Sequence, residues 1–354
     1  MRILLIRMMG LGDVAAILVP AVRLIRRRHP EARIDVMTFA AGSELMALMP
    51  EVADILHVAP EQWPDPIEPA LHSASALACT IIARSYDRVI NFDTWFFPCL
   101  IAQFARECGV AIEGNHLNLA IPALVDGLAT GRLPAAYFRH SDLFIASTFP
   151  NISDWKLPWW DRFPDWPRYP DFYLSHCCGL AGPLDMSLAV AADPDLIAAA
   201  AGRPVVSISA SGRRLHYRGQ AALTAALTQA GFHVWSQFDG SAPIAATLAR
   251  LRATDLLITV PTSTQWLART VGCPTLLVPG SQPPPHLGAD VVADPVIECQ
   301  YCGSMTCPKA LDYPCLAVPA AALIAKAEAF LAERPRRADA VAAEHSAADE
   351  VRPK

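Results

Sequence analysis

The sequence predicts an α/β protein of two halves, each alternating strand with helix. Three observations carry this. The first thirty residues, MRILLIRMMGLGDVAAILVPAVRLIRRRHP, read as a strand, a glycine turn and an amphipathic helix. A second alternating series begins near Arg203. The chain has 354 residues, 53% hydrophobic and 18% charged, which suits a core-forming chain long enough for two domains.

Taken in order, Arg2 to Arg7 hold a short apolar run that suits a buried strand. From Asp13 the spacing turns helical, with Val14, Ile17, Leu18, Ala21, Val22 and Ile25 on one stripe. Arg33 to Phe39 is a second strand, Ser43 to Met49 a short helix and Ile55 to Val58 a short strand. A proline-bearing loop, Pro60 to Pro69, leads to a helix over Ala70 to Arg84. Tyr86 to Asp93 is the next strand and Phe97 to Cys108 the helix after it. This alternation implies a parallel sheet with crossovers. Pro150 to Tyr173 breaks the pattern with many prolines and aromatics. It reads either as an irregular surface segment packing its rings or as an acceptor-binding lip, since indole faces stack on sugars.

In the second half, Pro204 to Ala210 is a strand followed by the turn SGRRLHYRGQ. Gln220 to Gln229 is a helix, Phe232 to Gln237 a strand and Pro243 to Leu251 a helix. Asp255 to Val260 is a strand, Thr264 to Thr270 a helix and Thr275 to Val278 a strand. The last helix is Pro319 to Glu333, and an alanine-rich, charged tail follows. The halves join over Asp185 to Gly202, and a cleft between two such halves is the default ligand site.

A net charge of -5 gives no reason to expect nucleic acid as the partner. No apolar run reaches the length of about 18 residues that a membrane span needs. Asp13 interrupts the N-terminal apolar stretch and Arg23, Arg26, Arg27 and Arg28 follow it, so it reads as strand and helix rather than as a cleaved leader. The expected location is the cytoplasm, where disulfides are rare.

Four stretches could carry chemistry. Gly10-Leu11-Gly12-Asp13-Val14-Ala15 formally fits the dinucleotide fingerprint, but Asp13 would stand where a pyrophosphate meets the helix N-terminus. The second strand also ends in Thr38 and Phe39 rather than in a ribose-binding acid. Asp13 reads equally well as a helix N-cap or as a general base at a strand end. Ser209-Ala210-Ser211-Gly212-Arg213-Arg214 puts small residues and two guanidiniums after a strand, a phosphate-binding chemistry or an ordinary solvated loop. Val260-Pro261-Thr262-Ser263-Thr264 places hydroxyls at a helix N-terminus, which favours an anion or serves for capping. Cys299, Cys302, Cys307 and Cys315 are four thiols within seventeen residues, a spacing that suits a structural zinc or iron site or else a set of free or half-buried thiols.

Together these stretches resemble the heptosyltransferase family, glycosyltransferase family 9, to about Glu333. The N-terminal strand, glycine-Asp turn, proline-bearing helix and second strand carry the resemblance, with PEVADILHV and YDRVINFD after them. DLLITVPTSTQWLARTVGCPTLLVPGS and CQYCGSMTCPKALDYPCL carry it in the second half. One branch of the family binds iron through such cysteines. The resemblance implies a GT-B fold, two Rossmann-like domains facing a central cleft: 1–185 on the acceptor side, 203–333 binding the donor nucleotide and holding the cysteine cluster, and 334–354 a disordered tail.

It further implies inverting transfer of a sugar, typically heptose from ADP-heptose, to a hydroxyl of a lipopolysaccharide core, another glycan, a lipid-linked acceptor or a protein. Asp13 matches the family's base, with no catalytic metal. Gly12, Ser211, Arg213, Arg214, Thr262 and Ser263 are the expected contacts to the nucleotide sugar. Peripheral membrane contact is compatible with this reading. The sequence departs from the family's Asp-Thr-Gly donor turn and the histidine three residues on: Pro261, Thr262, Ser263 and Trp266 stand in those places. The alternative is a non-catalytic sugar-nucleotide-binding or scaffold protein that keeps the fold, and a third reading is a nucleotide-dependent oxidoreductase binding NAD at Gly10 to Ala15.

Overall fold

The computed structural model describes residues 1–156, 158–210, 216–295, 297–304, 306–307, 309 and 313–337. The chain divides into two compact units, Met1–Met186 and Ser187–Lys354. The expected tail lies largely outside the described residues.

The first unit is built on a six-stranded sheet. Its strands are β1 (Arg2–Ile6), β2 (Arg33–Phe39), β3 (Asp54–Val58), β4 (Arg88–Asn91), β5 (Ile112–Leu117) and β6 (Ile145–Ser147). They lie in the order β3-β2-β1-β4-β5-β6. All neighbours pair in parallel except β5 and β6, which are antiparallel. Ile3, Leu4, Leu5 and Ile6 are all fully buried. A parallel strand covered on both faces needs such a continuous apolar run, which is why β1 shows no polar alternation.

After β1, the turn Leu11–Asp13, a π-helical stretch Val14–Leu18 and the α-helix Val19–Arg28 follow one another directly. Pro20 explains the wide turn. A proline ring has no N–H to donate and clashes with the carbonyl four residues back. The π-turn resolves this, with Val19 N–H donating to Val14 O. The helix then ends in Arg26, Arg27 and Arg28, cations that suit the negative end of its dipole. Arg27 and Arg28 donate to the carbonyls of Pro183, Gly179 and Ala181, tying the end of the unit to this helix. On β5, Gly114 has φ +80°, and an added Cβ would meet Asn91 O at 2.4 Å and a ring carbon of Phe149 at 2.6 Å. Only glycine lets the strand pass so close.

The second unit carries a five-stranded parallel sheet: β7 (Val205–Ser209), β8 (His233–Trp235), β9 (Leu256–Thr259), β10 (Thr275–Leu277) and β11 (Val291–Val292). Their order is β11-β10-β9-β7-β8. Before β7, the helix Pro194–Ala200 is capped by Asp193, whose side chain accepts from the N–H groups of Asp195 and Leu196. Among the described residues, no helix is long and apolar enough to cross a membrane.

Candidate active site

In an open α/β sheet, ligands bind outside the carboxyl ends of the strands, where the strand order reverses. In the first unit that point lies between β1 and β4. The chain leaving β1 supplies Arg7 and Asp13, and the chain leaving β4 supplies Asp93.

Asp13 does not cap its helix. The cap position is Gly10, with φ +81° and no side-chain hydrogen bond, and Asp13 sits within the first turn. Gly10 is required there twice over: its φ is left-handed, and an added Cβ would approach Asp13 Oδ2 to 3.1 Å. The Asp13 carboxylate, about one-third exposed at 33%, turns instead to side chains. Arg7 Nη2 donates to Oδ2 at 2.5 Å, and Tyr169 Oη donates to Oδ1 at 2.5 Å. Each carboxylate oxygen has a second lone pair, so these two bonds leave acceptor capacity on the open side.

Arg7 is 4% exposed. Its Nη1 donates to Phe92 O at 2.9 Å and lies 3.7 Å from Asp93 Oδ1. Burial alone would lower the pKa of this guanidinium, but Asp13 and Asp93 outweigh it and hold the pKa well above the usual arginine value. Asp93 is fully buried. Its carboxylate accepts from the backbone N–H groups of Met8 at 2.7 Å, Met9 at 3.1 Å and Trp95 at 3.1 Å. A buried carboxylate needs such partners. The result is a row of alternating charge, Asp93–Arg7–Asp13, anchored in the core at one end and open at the other.

The aromatic segment reaches this row through Tyr169 and Tyr173. Residues 150–156 and 158–173 form short turns whose rings pack on one another: Trp159 stacks on Phe172 at 4.2 Å and 8°, and Trp155 lies 5.4 Å from Tyr169. Tyr173 Oη donates to Phe92 O at 2.7 Å, beside the Arg7 donor. Burial pushes the Tyr169 and Tyr173 phenols well above their usual range, so both stay protonated and able to donate. Sequence reasoning singled out Asp13 and missed Arg7, Asp93 and Tyr169. Two signals were present: a strand ending in an aspartate, and a tyrosine within a segment that had no helical or strand period.

Gly12 is buried in the first helical turn. In the second unit the order reverses between β7 and β9. Here the side chains are hydroxyls. Ser209 Oγ donates to Thr264 Oγ1 at 2.9 Å and Thr259 Oγ1 donates to Ser209 O at 2.9 Å. Thr262 occupies the N-cap position of the helix Ser263–Thr270, but no side-chain cap bond forms. The N–H groups of that first turn therefore point out of the helix without the usual cap. Ser211, Arg213 and Arg214 lie outside the described residues. Trp266 is 7% exposed and packs into the interior.

The four-thiolate ion site expected from spacing is not formed. All ten cysteines are free. Among the described residues, no group of three or more His, Cys, Asp or Glu is placed to hold a metal ion. Cys315 is 7% exposed and belongs to the apolar core of the second unit, while Cys302 is exposed. Just after Cys302, Gly303 N–H donates to Ser281 O at 2.8 Å and Ser281 Oγ donates to Ser304 O at 2.9 Å. Burial raises the Cys315 thiol pKa, and Cys302, Cys299 and Cys307 act in the same direction.

No protein-family model and no curated protein matches the sequence. Solved structures do match the fold. A glycosyl transferase family 9 structure from Veillonella parvula is 15% identical with a TM-score of 0.62, covering 94% of this chain and 98% of that one. The ADP-heptose lps heptosyltransferase II of E. coli is 15% identical with a TM-score of 0.58, covering 94% and 99%. The E. coli heptosyltransferase WaaC with ADP-2-deoxy-2-fluoro heptose is 15% identical with a TM-score of 0.53, covering 93% and 100%. With its two mostly parallel, Rossmann-like units, the chain therefore has the fold of the family 9, GT-B heptosyltransferases.

Proposed function

We propose that this chain is an inverting glycosyltransferase that moves a sugar from a nucleotide sugar to an acceptor hydroxyl, with Asp13 as the general base. The observation that carries the reading is Asp13 itself: a part-exposed carboxylate at the switch point of a Rossmann-like unit, fixed by Arg7 and Tyr169. A base must be oriented and within reach of the proton it takes. In the reaction, Asp13 takes the acceptor hydroxyl's proton as that oxygen bonds to the anomeric carbon. The bond from that carbon to the donor phosphate breaks on the opposite face, and the nucleoside diphosphate leaves. The hydroxyl-lined turn at Thr262 and Ser263, with Ser211, Arg213 and Arg214 before it in sequence, would meet the diphosphate charge.

ADP-heptose is the favoured donor, because a fluorinated ADP-heptose is the ligand named for the WaaC structure of the same fold. The acceptor would be a lipopolysaccharide core, another glycan or a protein, and the reaction would run in the cytoplasm.

The test is transfer from a panel of nucleotide sugars by wild type and Asp13→Asn. Loss of a positioned base lowers the rate by about 10²- to 10⁴-fold. A variant that keeps more than about one-tenth of the rate would remove Asp13 from that role. One observation favours a second reading, a sugar-nucleotide-binding protein without transfer: Trp266 is buried where the family presents a histidine. Wild-type protein that binds ADP-heptose yet transfers to no acceptor in the panel would establish that reading instead.

A further inference from the structure

A carboxylate that acts as a base must present its oxygens in a fixed direction. For an aspartate the torsion that sets this direction, about the Cβ–Cγ bond, is broad and roughly two-fold, so the backbone alone leaves it open. We propose that Tyr169 is the positioning residue that fixes this torsion in Asp13, and that the aromatic segment is the mount for this tyrosine rather than a ligand lip. The inference rests on the transferase reading and deepens it, by naming what turns a part-exposed carboxylate into an aligned base.

The two bonds to the carboxylate do different work. Arg7 Nη2 donates to Oδ2, and Arg7 is itself held by Phe92 O and Asp93. With one oxygen anchored, the other still swings about it. Tyr169 Oη donates to Oδ1 at 2.5 Å, so both oxygens are tethered and the carboxylate plane is set. The tethers are independent in sequence: Arg7 lies six residues before Asp13, and Tyr169 lies 156 after it. A bond from a hydroxyl to a carboxylate is charge-assisted and roughly twice as strong as a neutral one. Burial holds the Tyr169 phenol well above its usual range, so it keeps the proton that it donates.

The segment holds this phenol in place. Tyr169 opens a turn, Tyr169–Asp171, that runs directly into the π-helical stretch Phe172–Cys177. Tyr173 follows four residues later, a spacing that puts two side chains on one face. Tyr169 reaches Asp13, while Tyr173 reaches Phe92 O, the carbonyl that Arg7 also uses. The Tyr173 ring lies 6.0 Å from the Arg7 guanidinium. Arg168 donates to both oxygens of Asp171, at 2.7 and 3.1 Å, and so pins the start of the turn. The Trp155 ring lies 5.4 Å from that of Tyr169 and 4.9 Å from that of Tyr173.

The same packing argues against a lip. Trp159, Phe172 and Tyr173 are 2%, 0% and 1% exposed. Trp159 and Phe172 cover each other's faces, and a covered face cannot also stack on a ligand. These rings hold the shape of the segment. A π-helical turn is rare and recurs at functional sites, and this one stands directly behind Tyr169.

The test measures kcat and KM for transfer by the full-length protein with the nucleotide-sugar panel. The proteins are wild type, Tyr169→Phe, Asp13→Asn, the double variant, and protein with 4-aminophenylalanine at position 169. Tyr169→Phe keeps the ring beside Trp155 and removes only the donor. Its kcat is expected to fall about tenfold or more with KM within about twofold, because a base out of line by about 1 Å loses up to about 10² in rate. The 4-aminophenylalanine protein, which donates an N–H from the same ring position, is expected to recover most of that loss. In the Asp13→Asn background, Tyr169→Phe is expected to add no further loss. A Tyr169→Phe kcat above about one-third of wild type overturns the inference. A rise in KM alone also overturns it and makes the phenol a substrate contact. An equal fold-loss with and without Asp13 overturns it too, since the phenol would then act apart from the base. Failure of this inference and failure of the transferase reading look different. If Tyr169→Phe transfers as wild type does while Asp13→Asn abolishes transfer, the positioning role falls and the base stands. If Asp13→Asn transfers at the wild-type rate, the base falls and the positioning role falls with it.

Discussion

Arg7 links the buried and the open carboxylate, so removing it is a direct test of how the site is held. In Arg7→Met the side-chain stem is largely kept and the cation is lost. Asp93 then stays fully buried with three backbone N–H donors but no counter-charge. Breaking a buried ion pair by removing one partner costs about 3–5 kcal/mol, and with side chains 5% and 0% exposed, Arg7 and Asp93 qualify. The Asp13 bond adds less, because that carboxylate is open to water. Asp93→Asn on its own is expected to cost about 1–3 kcal/mol, since an amide is a weaker acceptor and turns an N–H₂ toward backbone donors. The double variant removes both charges, so it is expected to be more stable than the sum of the single losses by about 0.5–3 kcal/mol.

Urea unfolding followed by tryptophan fluorescence reads this well. Six of the eight tryptophans, at 63, 95, 155, 159, 160 and 166, lie in the first unit. A loss below about 1 kcal/mol for Arg7→Met, or losses that add to within about 0.5 kcal/mol, would show that the row of charges does not act as a unit.

Two further outcomes follow from titration and burial. Burial pushes the Tyr86 and Tyr137 phenols from 10.0 up to about 12, so the stability they contribute is complete below pH 10 and is lost as pH rises through 12. The melting temperature of the first unit should therefore fall steadily across that window, and a flat profile would contradict the assignment. With a thiol reagent, the exposed Cys79, Cys108 and Cys302 should react first, and the buried Cys99, Cys177, Cys178 and Cys273 only on unfolding. Burial raises the Cys177 thiol to about 12, in keeping with that order. If Cys299, Cys302, Cys307 and Cys315 were instead protected together and released by a chelator, the absence of an assembled thiolate site would be refuted.

Sequence reasoning found β1, β2, β3, β4, β7, β8, β9 and β10; of these the inner strands are mostly buried and rich in Ile, Leu, Val or Met, with a few buried polar residues such as Asp35, Thr38, Ser207 and Ser209, while β3 and β8 lie at sheet edges. β5 was missed because its sequence, IEGNHL, looks like loop. Asn115 and His116 are nevertheless buried there, because each finds a local partner: Asn115 Nδ2 donates to Asp93 O at 2.9 Å and His116 Nδ1 pairs with Leu117 O at 2.8 Å. Polar residues of this kind serve the site, and periodicity rules score them against a strand. β11, with two residues, falls below any pattern. The glycine-Asp turn was legible because its parts are adjacent in sequence. Tyr169 is 156 positions from Asp13, and no local rule predicts that bond.

The two units differ in charge at the points where their sheets reverse strand order. Both sheets reverse strand order and both offer a site at the reversal, yet the sites differ in charge. At β1/β4 there are two carboxylates and one guanidinium, Asp13, Asp93 and Arg7. A diphosphate there would meet net negative charge. At β7/β9 the described side chains are Ser209, Thr259, Thr262 and Thr264, neutral hydroxyls beside a helix N-terminus that forms no side-chain cap. An anion is favoured at the second site and repelled at the first. The GLGDVA turn thus fits a dinucleotide fingerprint in letters and opposes it in charge. Under the proposed transferase reading, the same negative charge that opposes a phosphate would serve to take the proton of a neutral acceptor hydroxyl.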